Sequence, residues 1–178
     1  MAKNIARLAI TLLLITAVVA AALAGVNALT EPIIAQINYQ KTQDAIEAVL
    51  PGGGESIDFT DNTGWVSTVY ESETGYAVEV TPSTGFDGDI TMMVGIDPQG
   101  NVLGISIISH TETPGLGAVA AANNAKGEAF RNQFVGLVSG ITVDGEENSI
   151  DSMSGATITS KAVTAGVNAA LDFVANLG

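Results

Sequence analysis

Apolar positions along this chain change rhythm three times. Residues 8–29, LAITLLLITAVVAAALAGVNAL, hold no charge over 22 positions. At about 1.5 Å per residue, a helix of that length spans a hydrocarbon core of about 30 Å. After Pro32 the pattern loosens. Ile33, Ile34, Ile37, Ala45, Ala48 and Val49 form an apolar stripe that predicts a juxtamembrane helix over 33–50. Pro51-Gly52-Gly53-Gly54 stops it. Short apolar runs then predict strands at 65–70, 76–81, 90–96 and 102–109, with Asp97-Pro98-Gln99-Gly100-Asn101 as a hairpin turn. The runs at 90–96 and 102–108 are nearly continuous, which predicts two central strands. Residues 118–135, with Phe130 and Phe134 one turn apart, predict a helix, and 141–143 one more strand. The last helix is predicted over 159–175, with Val163, Val167, Leu171 and Val174 on its buried face.

Strands first and helices later predict an α+β domain, an antiparallel sheet with helices packed against one face, preceded by one transmembrane helix. The expected division is a cytoplasmic N-terminus and anchor (1–30), a juxtamembrane helix and linker (31–54) and an extracytoplasmic domain (55–178). The chain shows no internal repeat and no low-complexity segment.

Charge orients this arrangement. All 19 acidic residues lie at or after Glu31, whereas Lys3 and Arg7 precede the apolar run. Positive charge on the N-terminal side predicts a cytoplasmic N-terminus and an exported C-terminal part. A cleaved signal peptide is the competing reading. Ala22-Leu23-Ala24 offers a small-x-small site, but the apolar run continues past it. Either way the rest is exported. Beyond residue 30 four basic residues face 19 acidic ones, a balance of −15. Such a surface repels nucleic acid and anionic lipid. Solubility explains the acidity, and attraction of a cationic partner is the alternative. There is no cysteine, which excludes disulfides, thiolate metal sites, protein-ligated iron–sulfur clusters, cysteine nucleophiles and an acylated lipoprotein anchor. The single histidine, His110, excludes a multi-histidine metal site.

Two stretches carry candidate chemistry. Ser154-Gly155-Ala156-Thr157-Ile158-Thr159-Ser160 precedes the last predicted helix. Small residues leave its backbone approachable, and a helix N-terminus offers unpaired N–H groups and positive potential, a seat for phosphate. The same pattern also serves as an ordinary helix cap. The second stretch is His110-Thr111-Glu112-Thr113-Pro114-Gly115-Leu116-Gly117. It follows a strand, and its proline and glycines make a tight loop able to hold a flat or phosphorylated ligand. His110 is a candidate ligand contact or a structural hydrogen-bonder. Glu112 is a candidate contact or a solvated charge. Gly85-Phe86-Asp87-Gly88 reads as a hairpin turn or a pocket rim. No G-x-S-x-G elbow supports a hydrolase.

Together these stretches resemble a known family. Asp151-Ser152-Met153-Ser154-Gly155-Ala156-Thr157 resembles the D-x-x-[ST]-G-A-T flavinylation motif of FMN-binding domains. His110 to Gly117 resembles their H-x-E-T-P-G-L-G loop, and the 85–88 turn with the strand after it is similar to theirs. The resemblance covers essentially the whole chain. Its nearest form is the G subunit of the Rnf electron-transport complex. The C subunit of the sodium-translocating NADH:quinone reductase is similar but usually longer. The resemblance implies FMN esterified through its phosphate to Thr157, with Ser154, Gly155, Ala156 and Thr159 around the phosphate. It implies Glu112, Thr113, Pro114, Gly115, Leu116 and Gly117 along the isoalloxazine, with Leu116 on one face; His110 matches the loop as a further contact or its brace. It also implies a separate flavin transferase that uses FAD and reads the motif, including Asp151. A threonine hydroxyl is a weak nucleophile, so an outside enzyme must activate the transfer. The implied role is electron carriage in a membrane complex coupling ferredoxin and NAD oxidoreduction to ion pumping, with no catalytic acid or base and no metal. The alternatives are an FMN-carrying component of another membrane redox system and a non-redox binding module.

Overall fold

The computed structural model describes residues 2–61 and 64–177; the side chains of residues 2–6, Lys3 among them, lie outside the described residues. The chain divides into two compact units, Met1–Gln40 and Lys41–Gly178. Helix α1 (Ala2–Val49) continues through Pro32. A proline ring removes one intrahelical hydrogen bond, and the residues on either side keep the helix going. The stretch Arg7–Val49 is long and apolar enough to cross a membrane. At about 1.5 Å per residue it is roughly twice the length a hydrocarbon core needs. Its large apolar side chains from Leu8 to Leu29 are exposed. Lipid would solvate such a surface, and water would not.

The second unit is built on five antiparallel strands in the order β1-β2-β3-β4-β5. They are β1 (Glu55–Ser56), β2 (Val66–Ser72), β3 (Gly75–Val80), β4 (Ile90–Ile96) and β5 (Val102–His110). Each strand pairs antiparallel with the one before it; β2 to β5 fall on the four predicted runs, and β1 is an addition. The turn at 97–101 forms because Asp97 Oδ1 accepts from the amides of Gln99 and Asn101, at 2.9 and 2.8 Å. Of the two strands expected at the centre, β4 is interior and β5 lies at the edge. The run at 102–108 is apolar for a different reason. Val102 and Ile105 turn inward to the core, and the edge itself is met near Val102 by Gly136 and Leu137 through backbone hydrogen bonds of 2.8 and 2.9 Å.

Helix α3 (Thr157–Ala175) covers one sheet face. Val163, Val167, Ala170 and Leu171 pack with Val78, Val80, Met92, Val94 and Ile96, all buried. Each such side chain contributes roughly 1.5–3 kcal/mol of apolar burial. The expectation of helices on one face alone is incomplete. Ala45, Ile46, Val49 and Leu50 cover part of the opposite face, over Ala77 and Met93. They approach so closely that a Cβ at Gly95 would lie 2.3 Å from the Val49 carbonyl oxygen.

The helix expected over 118–135 is two pieces. A 3₁₀ turn (Gly117–Ala121) comes first, then α2 (Ala125–Asn132). Asn124 causes the break. Its side-chain oxygen accepts from Lys126 N and Gly127 N at 3.0 and 3.1 Å, starting a new helix. Arg131 Nη1 then binds the freed carbonyls of Ala120 and Ala122, at 2.6 and 3.1 Å. Phe130 and Phe134 are buried and meet edge to face, 5.6 Å between centroids. The strand expected near 141–143 is β6 (Thr142–Val143), paired in parallel with β7 (Ser149–Ile150).

Candidate functional site

At one end of the sheet three segments converge: the turn before β4, the loop after β5 and the start of α3. They line a cleft of about 330 Å³. Phe86, Glu112, Thr113, Leu116, Gly117 and residues 155–159 form its walls.

The loop that enters α3 is held from outside by three side chains. Gln133 Oε1 accepts from Asp151 N at 2.7 Å, Asp144 Oδ1 from Ser152 N at 2.8 Å and Ser160 Oγ from Met153 N at 3.0 Å. The Ser152 amide holds the Asp144 carboxyl below the usual carboxylate range. Gly155 then turns the chain with φ +74°, a left-handed conformation that costs glycine little. Helix α3 begins at Thr157, two residues earlier than the apolar stripe predicts, so Thr157 is its first helical residue. Ala156 occupies the cap position and supplies no side-chain cap. The first-turn amides of a helix have no intrahelical acceptor, and the cap residue supplies no side-chain acceptor for them here. Thr157 and Ile158 are exposed at the cleft.

Glu112 holds the opposite wall. It is only 5% exposed. Its Oε1 accepts from Phe86 N at 2.8 Å and its Oε2 from Thr159 Oγ1 at 2.7 Å. One carboxylate thus ties the 85–88 turn to the first turn of α3. Two glycines make room for it. A Cβ at Gly85 would stand 2.6 Å from Oε1, and one at Gly117 would stand 2.4 Å from Oε2. His110 Nδ1 accepts from Glu112 N at 3.2 Å, so the histidine lies behind the loop and braces it. Thr111 Oγ1 donates to Asp87 O at 2.7 Å, a second tie between the same segments.

Of the residues singled out from sequence, Glu112, Thr113, Leu116, Gly117, Gly155, Ala156, Thr157 and Thr159 come together around the cleft. Ser154, Pro114 and Gly115 are exposed nearby without lining it, and Asp151 is exposed beside Gln133. Two more lining residues, Phe86 and Ile158, come from the 85–88 turn offered as a pocket rim and from the 154–160 stretch. With Leu116 they are 64%, 51% and 45% exposed, an apolar trio at the cleft. Ile158 falls off the Val163–Val167–Leu171 face, in keeping with its exposure. Gln133 and Asp144 carry no motif signal, and Ser160 closes the 154–160 stretch without its bond to Met153 N being legible there.

The donor set suits a flavin mononucleotide. Unpaired amides and a hydroxyl at a helix N-terminus suit its phosphate. The apolar trio suits a flat aromatic ring. A side chain at Gly117 would fill the space beside the cleft wall.

Comparison with known proteins agrees with this geometry. Residues 85–172 match the FMN-binding domain family, and residues 1–49 match the RnfG N-terminal region. The chain is similar to the G subunit of the Na(+)-translocating ferredoxin:NAD(+) oxidoreductase complex of Acetobacterium woodii, at 34% identity over 98% of this chain and 94% of that relative. It is similar to the G subunit of the proton-translocating ferredoxin:NAD(+) oxidoreductase complex of Clostridium ljungdahlii, at 32% identity over 85% and 82%. It also resembles the G subunit of the ion-translocating oxidoreductase complex of Methanosarcina acetivorans, at 30% identity over 97% and 95%.

Proposed function

The chain belongs to the family of G subunits of ion-translocating oxidoreductase complexes, and from that membership we propose that it is the FMN-carrying electron-transfer component of a membrane-bound ferredoxin:NAD oxidoreductase complex of the Rnf type. FMN is held covalently, through a phosphoester to Thr157. The observation that carries this reading is the exposed Thr157 hydroxyl at the first residue of an uncapped helix, on the lip of a cleft walled by Phe86, Leu116 and Glu112.

When bound, the flavin supplies the electron chemistry, and the protein supplies position and electrostatics. The first-turn amides of α3 and the Thr157 oxygen would hold the phosphate. Phe86, Leu116 and Ile158 offer apolar surface to the ring and exclude water from it. Glu112 fixes the distance between the two walls. In attachment, a bond forms from Thr157 Oγ1 to phosphorus, the pyrophosphate of the FAD donor breaks, AMP leaves and the hydroxyl proton is given up. A flavin transferase supplies the activation and reads the segment that includes Asp151. Residues 1–30 anchor the chain with the N-terminus in the cytoplasm, 31–54 lead away from the membrane and 55–178 carry the cofactor outside. A covalent link keeps the cofactor where free FMN is scarce.

The test is intact mass and in-gel flavin fluorescence of the full chain, expressed with a flavin transferase, for wild type and Thr157→Ala. The expected result is flavin that survives denaturation in wild type and none in the variant. Wild-type chain without flavin, beside a transferase that modifies a control substrate, would overturn the assignment.

A further inference from the structure

The Glu112 carboxylate lines the cleft and lies almost wholly out of water. Burying a carboxylate is costly, and the fold meets that cost with two donated hydrogen bonds and with glycine at both flanking positions. Bracing alone does not require a charge. A neutral amide could accept from Phe86 N and meet the Thr159 hydroxyl equally well. Both partners here are donors, which is the arrangement an ionised carboxylate needs. Of the four basic residues beyond residue 30, Lys41, Lys126, Arg131 and Lys161, none lines the cleft. The positive end of α3, which begins beside Thr159, adds to those two donors.

We propose that Glu112 is a positioning residue whose negative charge also poises the bound flavin at a more negative reduction potential. This inference rests on the FMN reading above. Reduction adds negative charge to the ring. A fixed, buried carboxylate in the cleft wall opposes that charge by Coulomb repulsion, which burial of the carboxylate strengthens. The Thr159 hydroxyl tempers the effect, because its donated hydrogen bond spreads the carboxylate charge.

The experiment is a redox titration at pH 8 of the full chain, flavinylated, as wild type, Glu112→Gln and Thr159→Val, with thermal unfolding measured in parallel. Glu112→Gln keeps the bracing shape and removes the charge, so its midpoint moves positive, equivalent to roughly tenfold in the reduction equilibrium. Thr159→Val removes a donor and leaves the charge less screened, so its midpoint moves negative. Opposite signs are the signature, since a mere brace would move stability and leave both potentials together. Normal loading with equal midpoints in all three chains would overturn the inference and leave the FMN assignment standing. Loss of flavin from wild type itself would overturn that assignment instead. Should Glu112→Gln fail to fold, Thr159→Val decides: a midpoint equal to wild type overturns the inference.

Discussion

Glu79 and Glu112 show how far a single acid's surroundings decide its part. Glu79 sits on β3 opposite Met93, and partial burial lifts its carboxyl above the usual range. Its charged form is therefore penalised in the folded state. That penalty is absent below the ordinary carboxylate value of about 4 and appears as pH rises through the raised folded value. Glu79→Gln is expected to raise the melting temperature at pH 7, with the gain closing at pH 4 and below. Scans of both chains across that range check it, and an equal difference at every pH would refute the account. Glu112 is legible in the sequence as part of a motif, but its partners are not. Phe86 and Thr159 lie 26 and 47 residues away, and nothing local points to either. Thr157 and Ile158 are legible as candidates because their stretch is contiguous, whereas the choice of rim over plain turn for Phe86 is made only when three distant segments meet.

Elements follow the same logic. The strands at 66–80 and 90–110 are readable, since short apolar runs and the Asp97 turn act between neighbours in sequence. The helix expected at 118–135 breaks in two because apolar spacing ignores a cap in its middle. Asn124 supplies that cap, and the Arg131 side chain fastens the 3₁₀ turn to the new helix. Asn124→Ala should cost about 0.5–2 kcal/mol of stability, the usual loss of an N-cap. Urea unfolding monitored by circular dichroism measures it; an unchanged midpoint would mean that the break has another cause. Helix α3 is the instructive contrast. Its start lacks a side-chain cap, so the amides that Asn124 satisfies in α2 remain available at the cleft.

At the scale of the molecule, the two compact units present different surfaces. The first exposes Leu12, Leu14, Val18 and Leu23, each more than half exposed, on a helix that suits lipid. The second, Lys41–Gly178, has its own core. A chain beginning at Lys41 is expected to fold and stay in the aqueous phase of a detergent partition, while the full chain enters the detergent. A chain beginning at Pro51 loses Ala45, Ile46, Val49 and Leu50 from the sheet face over Ala77 and Met93. It should be less stable by about 3 kcal/mol or more, because four buried apolar side chains go. Equal unfolding midpoints for the two shortened chains would show that this face needs no cover.

The sequence by itself determined the membrane-length helix, the α+β class, the turn at 97–101 and the two loops that meet at the cleft. Each depends on periodicity, charge or contiguous motif, which are properties of near neighbours along the chain. Tertiary structure alone decided that β5 is an edge strand, that residues 45–50 cover the second sheet face, and that Glu112 is a buried hub rather than a solvated loop charge. Those outcomes depend on which surfaces meet across tens of residues. Burial, desolvation and the room left by Gly85 and Gly117 exist only once those surfaces have met.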